Sequence, residues 1–392
     1  MRIVVVGAGL AGLAAAWVAR ADGHEVTVLE ARDRVGGRTW SHEIAPGVVV
    51  ERGGEWIGAD QHVIRRFCAD LGLPIAPHGV SFHRRMVRGR LPGLDELEST
   101  LEAVSKEIPP EDCSVTEAFE AALGERYAED PAYLRIVTST AGDPGRASAR
   151  FHVARAEAAG IDGAGRVVGG NQRISQELAH RLGTVRLSTP VAAIGQDGVG
   201  LADGSTVPAD RVVVAVPLAL LDSLTWDPEF PNAWREGLAH VATGTAVKLS
   251  LPALRDRPRG VQHPEHAWWA WNSLDYSGRA GIAAVSGFAG GDAARTALEV
   301  EQGPARWTEE VLRLRHDLRV RPEHALLTDW ATEPWTAGGY SHMLTGHTWS
   351  ANALLAEPVG NLVLAGEYTD PEDSGTMNGA LASGVRAAQS LR

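Results

Sequence analysis

The chain has 392 residues, a formal net charge of −12 and a sequence pI near 5.6. This length allows a large buried core and about two domains, and the acidic balance argues against nucleic acid as a partner. The two cysteines, Cys68 and Cys113, lack metal-type Cys/His spacing. Cysteine usage therefore argues against a disulfide framework and favours a reducing, cytoplasmic location.

The longest apolar run, Val212 to Leu221, contains Pro217 and is about half as long as a membrane span. We interpret it as a buried strand and its exit, and we expect no membrane association. The strand predicted from Arg2 to Val6 begins at the second residue, which predicts that no signal peptide is present.

The N-terminal segment has the pattern of a strand–helix–strand unit. An apolar run over Arg2 to Val6 is followed by a glycine-rich turn, an alanine-rich helix over Leu13 to Ala21 and a second strand over Glu25 to Glu30. A unit of this kind requires a parallel sheet, because the helix carries the chain back to the same edge.

The glycine-rich turn Gly7-x-Gly9-x-x-Gly12 lies where a dinucleotide fingerprint must lie, between a strand and a helix. The first glycine makes a tight turn, the second lets the backbone approach a pyrophosphate, and the third lets the helix pack close to the strand. The helix N-terminus offers free N–H groups to phosphates. Glu30 ends the second strand and is placed to accept hydrogen bonds from a ribose diol.

Further elements follow in chain order. We predict helices over 60–75 and 95–130, and strands over Leu187–Ile194 and Arg211–Val216. Strands of a second sheet are predicted over Ala246–Leu251, Trp268–Asn272 and Gly281–Phe288, then a short buried strand over Leu362–Gly366 and a closing helix over Gly379–Leu391.

A second glycine pair followed by arginine, in Glu30-Ala31-Arg32-Asp33-Arg34-Val35-Gly36-Gly37-Arg38, distinguishes FAD from NAD as the expected nucleotide. A guanidinium can bridge two phosphate oxygens, and paired glycines give it room. With this stretch the chain resembles the FAD-dependent amine oxidase superfamily, of the bacterial monoamine, putrescine and nicotine oxidase type.

The resemblance extends over most of the chain and is loose only over about 76–165. It is carried by Arg52 to Gly58, by Val167 to Gln172 with Thr189-Pro190-Val191, and by Leu364 to Thr369 with Ser374 to Ala380. The cofactor-binding positions that it implies are Gly7, Gly9, Leu10, Ala11, Gly12, Glu30, Ala31, Arg32, Gly37, Arg38, Gly54, Glu55, Trp56, Val191, Trp330, Gly366, Glu367, Thr376 and Met377.

Because cofactor-type motifs occur at both ends of the chain, we predict interleaved domains in an α/β fold of the amine oxidase type. The FAD-binding Rossmann-like domain would comprise 1–75, 165–225 and 355–392. An α+β substrate domain would comprise 76–164 and 226–354.

Three catalytic positions follow from the resemblance: Lys248, Tyr340 and Thr376. Lys248 is one of only two lysines among 37 basic residues, and it matches the strand lysine that in this family holds a water beside flavin N5. A lysine in an apolar strand needs partners or must lose its proton. Tyr340 matches one wall of the family's aromatic cage.

The chain departs from the family pattern at two positions. Gly339 stands where mammalian monoamine oxidases have the cysteine that attaches the flavin, so FAD should be non-covalent. Thr376 stands where the second cage wall is usually aromatic, as in the flavin-dependent histone demethylases. An open cage wall argues against simple primary monoamine specificity.

Three tryptophans lie in one predicted strand of the second domain. Alternation places Trp269 and Trp271 on one face, where they are either core residues or an aromatic pocket wall near Phe288. His263 and His266 are spaced like ligands but lack a third partner, and we expect no metal.

The function implied by the resemblance is FAD-dependent oxidation of an amine. Hydride transfer from the α-carbon to N5 would give an imine and then an aldehyde or ketone, and O2 or another acceptor would reoxidise the flavin, with H2O2 as the product from O2. The oligomeric state stays open, and a homodimer is compatible with it.

Several alternatives remain open. An L-amino acid oxidase needs an arginine facing the substrate carboxylate, and Arg84, Arg85 and Arg90 are available. Another flavin oxidoreductase, of the carotenoid or porphyrinogen type, shares the N-terminal fingerprint but not Lys248 with Tyr340. A flavin-binding interaction protein without turnover is the third alternative.

Overall fold

The structure is a computed structural model, and it describes residues 1–157, 163–254, 258–274 and 284–391. The α-helices of this part of the chain are α1 (Leu10–Ala21), α2 (His62–Leu71), α3 (Leu94–Glu107), α4 (Val115–Leu123), α5 (Pro131–Thr140), α6 (Ala149–Glu157), α7 (Gln172–Leu182), α8 (Asn232–Leu238), α9 (Asp292–Ala297), α10 (Ala305–Leu314), α11 (Trp349–Ala356) and α12 (Met377–Gln389).

The strands of the first half are β1 (Arg2–Val6), β2 (Glu25–Leu29), β3 (Ser41–Ala45), β4 (Val48–Glu51), β5 (Ile75–Pro77), β6 (Gly165–Val167), β7 (Val185–Arg186), β8 (Val191–Gly195), β9 (Gly198–Leu201), β10 (Thr206–Pro208) and β11 (Arg211–Val214). Those of the second half are β12 (Thr225–Asp227), β13 (Val241–Thr243), β14 (Ala246–Leu254), β15 (Arg259–Gln262), β16 (Trp268–Asn272), β17 (Ala284–Gly290), β18 (Arg319–Val320), β19 (Leu326–Asp329), β20 (Ser341–Met343) and β21 (Leu362–Leu364).

A parallel sheet gathers strands from distant parts of the chain, in the order β21-β11-β1-β2-β7. Helix α1 connects β1 to β2, as the strand–helix–strand pattern predicted. It packs closely on α12, because a Cβ at Gly384 would lie 2.1 Å from the carbonyl oxygen of Ala11. The small residues of α1 therefore let the first and last helices share one face of the sheet.

The second large sheet is antiparallel, in the order β15-β16-β17-β14-β18, with β19 also paired to β14. In its register Lys248 lies opposite Phe288, and Phe288 lies opposite Trp269. One face carries an apolar core that includes Trp268 and Trp307. The period-2 alternation of β16 sends Trp269 and Trp271 to the other face.

A smaller sheet has the order β10-β9-β8-β12, in which β8 and β12 are parallel and the other neighbours are antiparallel. Three two-stranded sheets, β3–β4, β5–β6 and β13–β20, are also present. This mixture of a parallel nucleotide-type sheet and a separate antiparallel sheet confirms the predicted fold class. The residue boundaries proposed for the two domains stay a prediction.

The structure corrects two of the predicted elements. The helix predicted over 95–130 is divided into α3 and α4, followed by a 3₁₀ turn over Gly124–Glu129. Pro109-Pro110 ends the first helix, and Ser114 starts the second with a capping box to Glu117.

The strand predicted over Leu187–Ile194 is wrong over its first four residues, because β7 ends at Arg186 and β8 begins only at Val191. Ser188 adopts a left-handed φ of 49°, and the ladder cannot continue through Pro190. In the second sheet, residues 281–283 of the predicted strand lie outside the described residues, and β17 begins at Ala284.

None of the helices in the described ranges is both long and apolar enough to cross a lipid bilayer.

Candidate active site

A cavity of about 580 Å³ extends from the carboxyl ends of the parallel strands to the tryptophan face of the antiparallel sheet. The carboxyl edge of a parallel sheet is where such folds bind ligands. Nearly all of the predicted cofactor-binding positions line this one cavity. They are Gly7, Gly9, Leu10, Ala11, Glu30, Ala31, Arg32, Gly37, Arg38, Gly54, Glu55, Trp56, Val191, Trp330, Gly366, Glu367, Thr376 and Met377.

The three glycines of the first turn have different surroundings. A Cβ at Gly12 would lie 2.0 Å from the carbonyl oxygen of Gly7, so this glycine serves helix-on-strand packing and lies outside the cavity lining. Gly7 has a φ of 105°, and a Cβ there would meet the carbonyl of Ala215 at 2.7 Å. A Cβ at Gly9 would meet no protein atom within 4 Å. Glycine at this position therefore preserves space beside the helix N-terminus.

Glu30 is buried at this glycine-turn end of the cavity. Its carboxylate accepts hydrogen bonds from the backbone N–H groups of Ala8 at 2.7 Å and Arg32 at 3.0 Å. The side chain of Arg32 pairs with Glu333 at 2.7 Å. These contacts fix the acidic side chain in place, and each carboxylate oxygen retains a lone pair for a further donor.

Glu367 joins the C-terminal motif to the rest of the site. Its carboxylate accepts hydrogen bonds from the Ser341 hydroxyl at 2.6 Å, the Gly375 N–H at 2.8 Å and the Arg38 guanidinium at 2.8 Å. Arg38 also donates to the carbonyl oxygen of Gly339. One buried acid thus connects three segments that are distant in sequence, and Arg38 lies at the boundary between the two ends of the cavity.

Lys248 forms a buried ion pair with Glu55. Its Nζ lies 2.6 Å from Glu55 Oε2 and 3.2 Å from the Gly53 carbonyl oxygen. The other oxygen of Glu55 accepts from His78 Nε2 and Trp271 Nε1, each at 3.0 Å. Sequence reasoning required partners for this lysine, and the structure supplies Glu55.

The carboxylate of this pair is ionised. Burial alone would raise the pKa of Glu55, but the Lys248 ammonium and the His78 hydrogen bond outweigh burial and hold that pKa well below its ordinary value. Burial lowers the pKa of His78, so this imidazole is neutral at pH 7 and donates through Nε2. Arg166 adds a second, more distant cation, since its Nη1 lies 3.8 Å from Glu55 Oε1.

Aromatic side chains form the walls around this pair, and we call the space the aromatic chamber (Trp56, Trp269, Trp271, Phe288 and Tyr340). Trp269 and Trp271 stack with ring centroids 4.2 Å apart, and Trp56 lies 5.5 Å from Trp269. Phe288 and Tyr340 are nearly parallel, with their centroids 6.3 Å apart. The cavity lining contains all five residues.

Hydrogen bonds hold the other two predicted catalytic residues. The Tyr340 hydroxyl donates to the Ser139 carbonyl oxygen at 2.6 Å, which fixes the plane of its ring. The Thr376 hydroxyl donates to the Asp373 carbonyl oxygen and accepts from the Gly379 N–H, and so caps α12. Both hydrogen-bonding roles of this hydroxyl are thus satisfied within the protein.

Sequence reasoning missed several residues of the site. His78 is fully buried and stacks on Trp56 at 3.6 Å. Asn171 is also fully buried, and its amide donates to the carbonyl oxygens of Gly54 and Glu55. No local pattern marks His78, whereas Asn171 lies within the Val167–Gln172 motif but was not assigned to the site.

Of the three arginines considered for a carboxylate, only Arg85 lines the cavity. Arg90 is exposed and pairs with Glu96, whereas Arg84 donates to the carbonyl oxygen of Pro92. Arg135, which sequence reasoning did not consider, also lines the cavity.

Comparison with known proteins identifies the family. Residues 10–392 match the family model described as flavin containing amine oxidoreductase. The chain belongs to this flavin-containing amine oxidoreductase family. It is 30% identical to the Mycobacterium tuberculosis protein AofH, named as a flavin-containing monoamine oxidase, over 98% of this chain and 95% of the relative.

Other proteins that are similar to this chain differ in their named substrates. The chain is 25% identical to an L-amino acid dehydrogenase of Synechocystis, over 99% of this chain and 94% of the relative. Its fold is similar to that of the cyclohexylamine oxidase from Brevibacterium oxydans, with a TM-score of 0.81 and 21% identity over 100% of this chain and 98% of that one.

Membership in this family confirms the predicted resemblance and makes the protein an oxidoreductase that acts on amines. The cofactor of the family is FAD. The cavity fits such a group on two observations of its own: it is continuous from the glycine turn to the aromatic chamber, and open space lies beside Gly9 at the uncapped N-terminus of α1.

Proposed function

We propose that this protein oxidises an amine held in the aromatic chamber, with FAD bound non-covalently in the adjoining part of the cavity. The observation that carries this proposal is the buried Lys248–Glu55 pair at the point where the cofactor cavity meets the aromatic walls. Strongly perturbed ionisable groups inside a cleft are typical of reactive sites.

The predicted cofactor-binding residues would hold FAD in the following way. Gly7, Gly9 and the first turn of α1 would face the pyrophosphate, and Glu30 would accept hydrogen bonds from a ribose. Arg38 and the start of α12 would lie beside the central part of the cofactor. Gly339 offers no thiol for a covalent bond, so denaturation should release the flavin intact.

The aromatic walls would select the reactive form of the substrate. An amine with an ordinary pKa must lose a proton before it can be oxidised, which costs about 4–5 kcal/mol at neutral pH. A dry apolar chamber lowers this cost because desolvation disfavours the ammonium form. The ring faces of Tyr340 and Phe288 would position the amine carbon.

When bound, FAD supplies the acceptor for one hydride equivalent, which is two electrons and one proton, from the amine carbon, while the amine nitrogen loses a proton to water. The released imine would be hydrolysed by water to an aldehyde or ketone, and O2 would be reduced to H2O2.

Lys248 would hold a water molecule and move a proton there. Two of the three N–H donors of its ammonium are used by Glu55 and Gly53, so one remains for a water. Glu55 acts as a positioning residue, because it holds the ammonium in place and is itself held by His78 and Trp271. Proton transfer by a positioned group of this kind contributes about 100-fold or more to rates.

An anaerobic titration tests the proposed function. The purified yellow protein is mixed without oxygen with a panel of primary, secondary and amino-acid amines, each paired with the alcohol of the same skeleton. We expect at least one amine to bleach the oxidised flavin absorbance, and readmitted O2 to restore it with formation of H2O2. If no amine in a broad panel bleaches the flavin, the proposed function is wrong.

A further inference from the structure

Two buried cations in the cavity wall have no acidic partner among the residues that the structure describes. Arg85 is 3% exposed and Arg135 is 7% exposed, and both side chains line the cavity. Neither forms an ion pair with a carboxylate of the described residues. A buried guanidinium without a counterion is costly unless a ligand supplies the missing charge.

The contacts of Arg85 orient the side chain without neutralising it. Its guanidinium donates to the carbonyl oxygen of Phe82 at 3.0 Å, to Gln262 Oε1 at 2.9 Å and to the Ser139 hydroxyl at 3.4 Å. The Gln262 amide is itself fixed, because its nitrogen donates to the carbonyl oxygen of Trp268 at 2.9 Å. All of these acceptors are neutral, so the positive charge is held in place but not cancelled.

Arg135 contacts a neutral base. Its Nη1 lies 3.1 Å from His83 Nδ1. Burial, with added repulsion from Arg135 and Arg85, lowers the pKa of His83 to about 3, so the imidazole carries no charge at pH 7 and accepts this hydrogen bond. Burial and the neighbouring Arg135 also lower the pKa of Arg85. This part of the wall is therefore strongly electropositive.

The Arg85 guanidinium lies two stacked aromatic rings from the Lys248–Glu55 pair. The Arg85 guanidinium lies 3.8 Å from the centroid of Trp269, and Trp269 stacks on Trp271, which binds Glu55. Ser139 connects Arg85 to Tyr340. Its hydroxyl accepts a hydrogen bond from the Arg85 guanidinium, and its carbonyl oxygen accepts one from the Tyr340 hydroxyl. A ligand with its amine beside Tyr340 would thus extend toward Arg85 and Arg135.

We infer that Arg85 and Arg135 form a carboxylate subsite, and that the substrate is an amine whose carbon skeleton also carries a carboxylate. This inference rests on the proposed function and specifies its substrate class. A guanidinium binds a carboxylate through two parallel N–H donors, and the flanking rings of Phe82 and Trp269 favour an apolar or aromatic group on the same carbon skeleton.

Calorimetric titration of the holoenzyme tests the subsite with two matched probes, 3-phenylpropanoate and the neutral 3-phenylpropan-1-ol. We expect wild type to bind the carboxylate at least about tenfold more tightly than the alcohol, the difference that one charge-assisted contact provides. Arg85→Gln and Arg135→Gln should each abolish that preference while leaving alcohol binding unchanged. Arg90→Gln, an exposed arginine of the same segment, should retain it.

Two further arms keep the inference falsifiable. Arg85→Lys preserves the positive charge and serves as the second variant if Arg85→Gln fails to fold; it should retain part of the preference for the carboxylate. In a separate assay, wild type should oxidise L-phenylalanine with a higher kcat/KM than 2-phenylethylamine. Equal binding of the two probes by wild type overturns the subsite. If wild type then still oxidises 2-phenylethylamine, the proposed amine oxidation stands and only the carboxylate subsite is lost.

Discussion

The two ends of the cavity are built in different ways. At the glycine-turn end, much of the lining comes from two segments that are close in sequence, residues 7–11 and residues 30–38. In the aromatic chamber, the surface comes from side chains of widely separated segments, such as Glu55, Trp269 and Tyr340. The glycine-turn end is defined by backbone torsion angles and by the space that glycine leaves open. The aromatic chamber is defined by contacts that form only when the sheets are assembled.

This difference explains how each end tolerates substitution. The glycine-turn end depends on the absence of side chains, so one added methyl group can occupy ligand space or break packing. The aromatic chamber depends on paired charges and hydrogen bonds, so removal of one partner leaves the other unsatisfied in a buried site. The following predictions test this contrast, from the largest expected effect to the smallest.

Lys248→Met should have the largest effect, because it removes the nearer of the two cations that pair with the buried Glu55 carboxylate and leaves only Arg166, at 3.8 Å. We expect a loss of about 3–5 kcal/mol in the free energy of unfolding and a decrease of about 100-fold in the rate of flavin reduction or reoxidation. Urea unfolding and stopped-flow absorbance measure the two effects. Lys106→Met, at the only other lysine, is exposed and should leave both unchanged. Unaltered flavin kinetics in Lys248→Met would reject the proposed role of the lysine.

Gly12→Ala and Gly9→Ala should distinguish a glycine that is needed for helix packing from one that leaves space for the ligand. In Gly12→Ala the new methyl group would overlap the Gly7 carbonyl, so the apoprotein should lose about 3 kcal/mol or more of stability. In Gly9→Ala the methyl group meets no protein atom, so apoprotein stability should stay the same while the Kd for FAD rises at least about tenfold. Thermal unfolding and FAD titration measure the two properties. Equal stability losses in both variants would contradict this division.

Glu51→Gln should remove a pH dependence of stability. Burial raises the pKa of Glu51 to about 7 from an ordinary value of 4.5, against opposing hydrogen bonds from Asn171 and Ser41. Between those two pH values the folded state binds more protons than the unfolded state, so the free energy of unfolding falls as pH rises through this window.

Above pH 7 the ionised Glu51 costs the folded state about 3 kcal/mol. We therefore expect Glu51→Gln to be more stable than wild type at pH 8 and similar to it near pH 4.5. Urea unfolding at several pH values measures the difference. Parallel stability curves for the two proteins would show that Glu51 does not titrate in this window.

Tyr340→Phe should have the smallest effect. It removes the hydrogen bond to the Ser139 carbonyl oxygen, which costs about 1 kcal/mol of stability, but retains the ring that forms the chamber wall. Tyr133→Phe, at a buried tyrosine outside the cavity lining, provides a matched control for loss of a hydroxyl. We expect kcat/KM for an amine to change only a few-fold in Tyr340→Phe. A loss as large as that of Lys248→Met would instead place the hydroxyl in the chemistry.

The sequence alone determined the glycine-turn end and the family, and it singled out Lys248 as a residue that needs partners. The Gly7–Gly12 turn could be recognised because its function depends on backbone torsion and spacing within a few residues. The alternation of β16 likewise predicted that Trp269 and Trp271 share a face. The division of the segment 95–130 was missed because apolar spacing outweighed the signals of Pro109-Pro110 and Ser114.

Only the tertiary structure decided which partners the buried charges have. Lys248 pairs with Glu55, which is 193 positions away in the sequence. Arg85 donates a hydrogen bond to Gln262, and no acid among the described residues pairs with Arg85 or with Arg135. Such contacts depend on the register and packing of strands from distant parts of the chain, and no local pattern encodes them. Burial then sets their consequences, since the same side chains in water would have ordinary pKa values and no need of a partner.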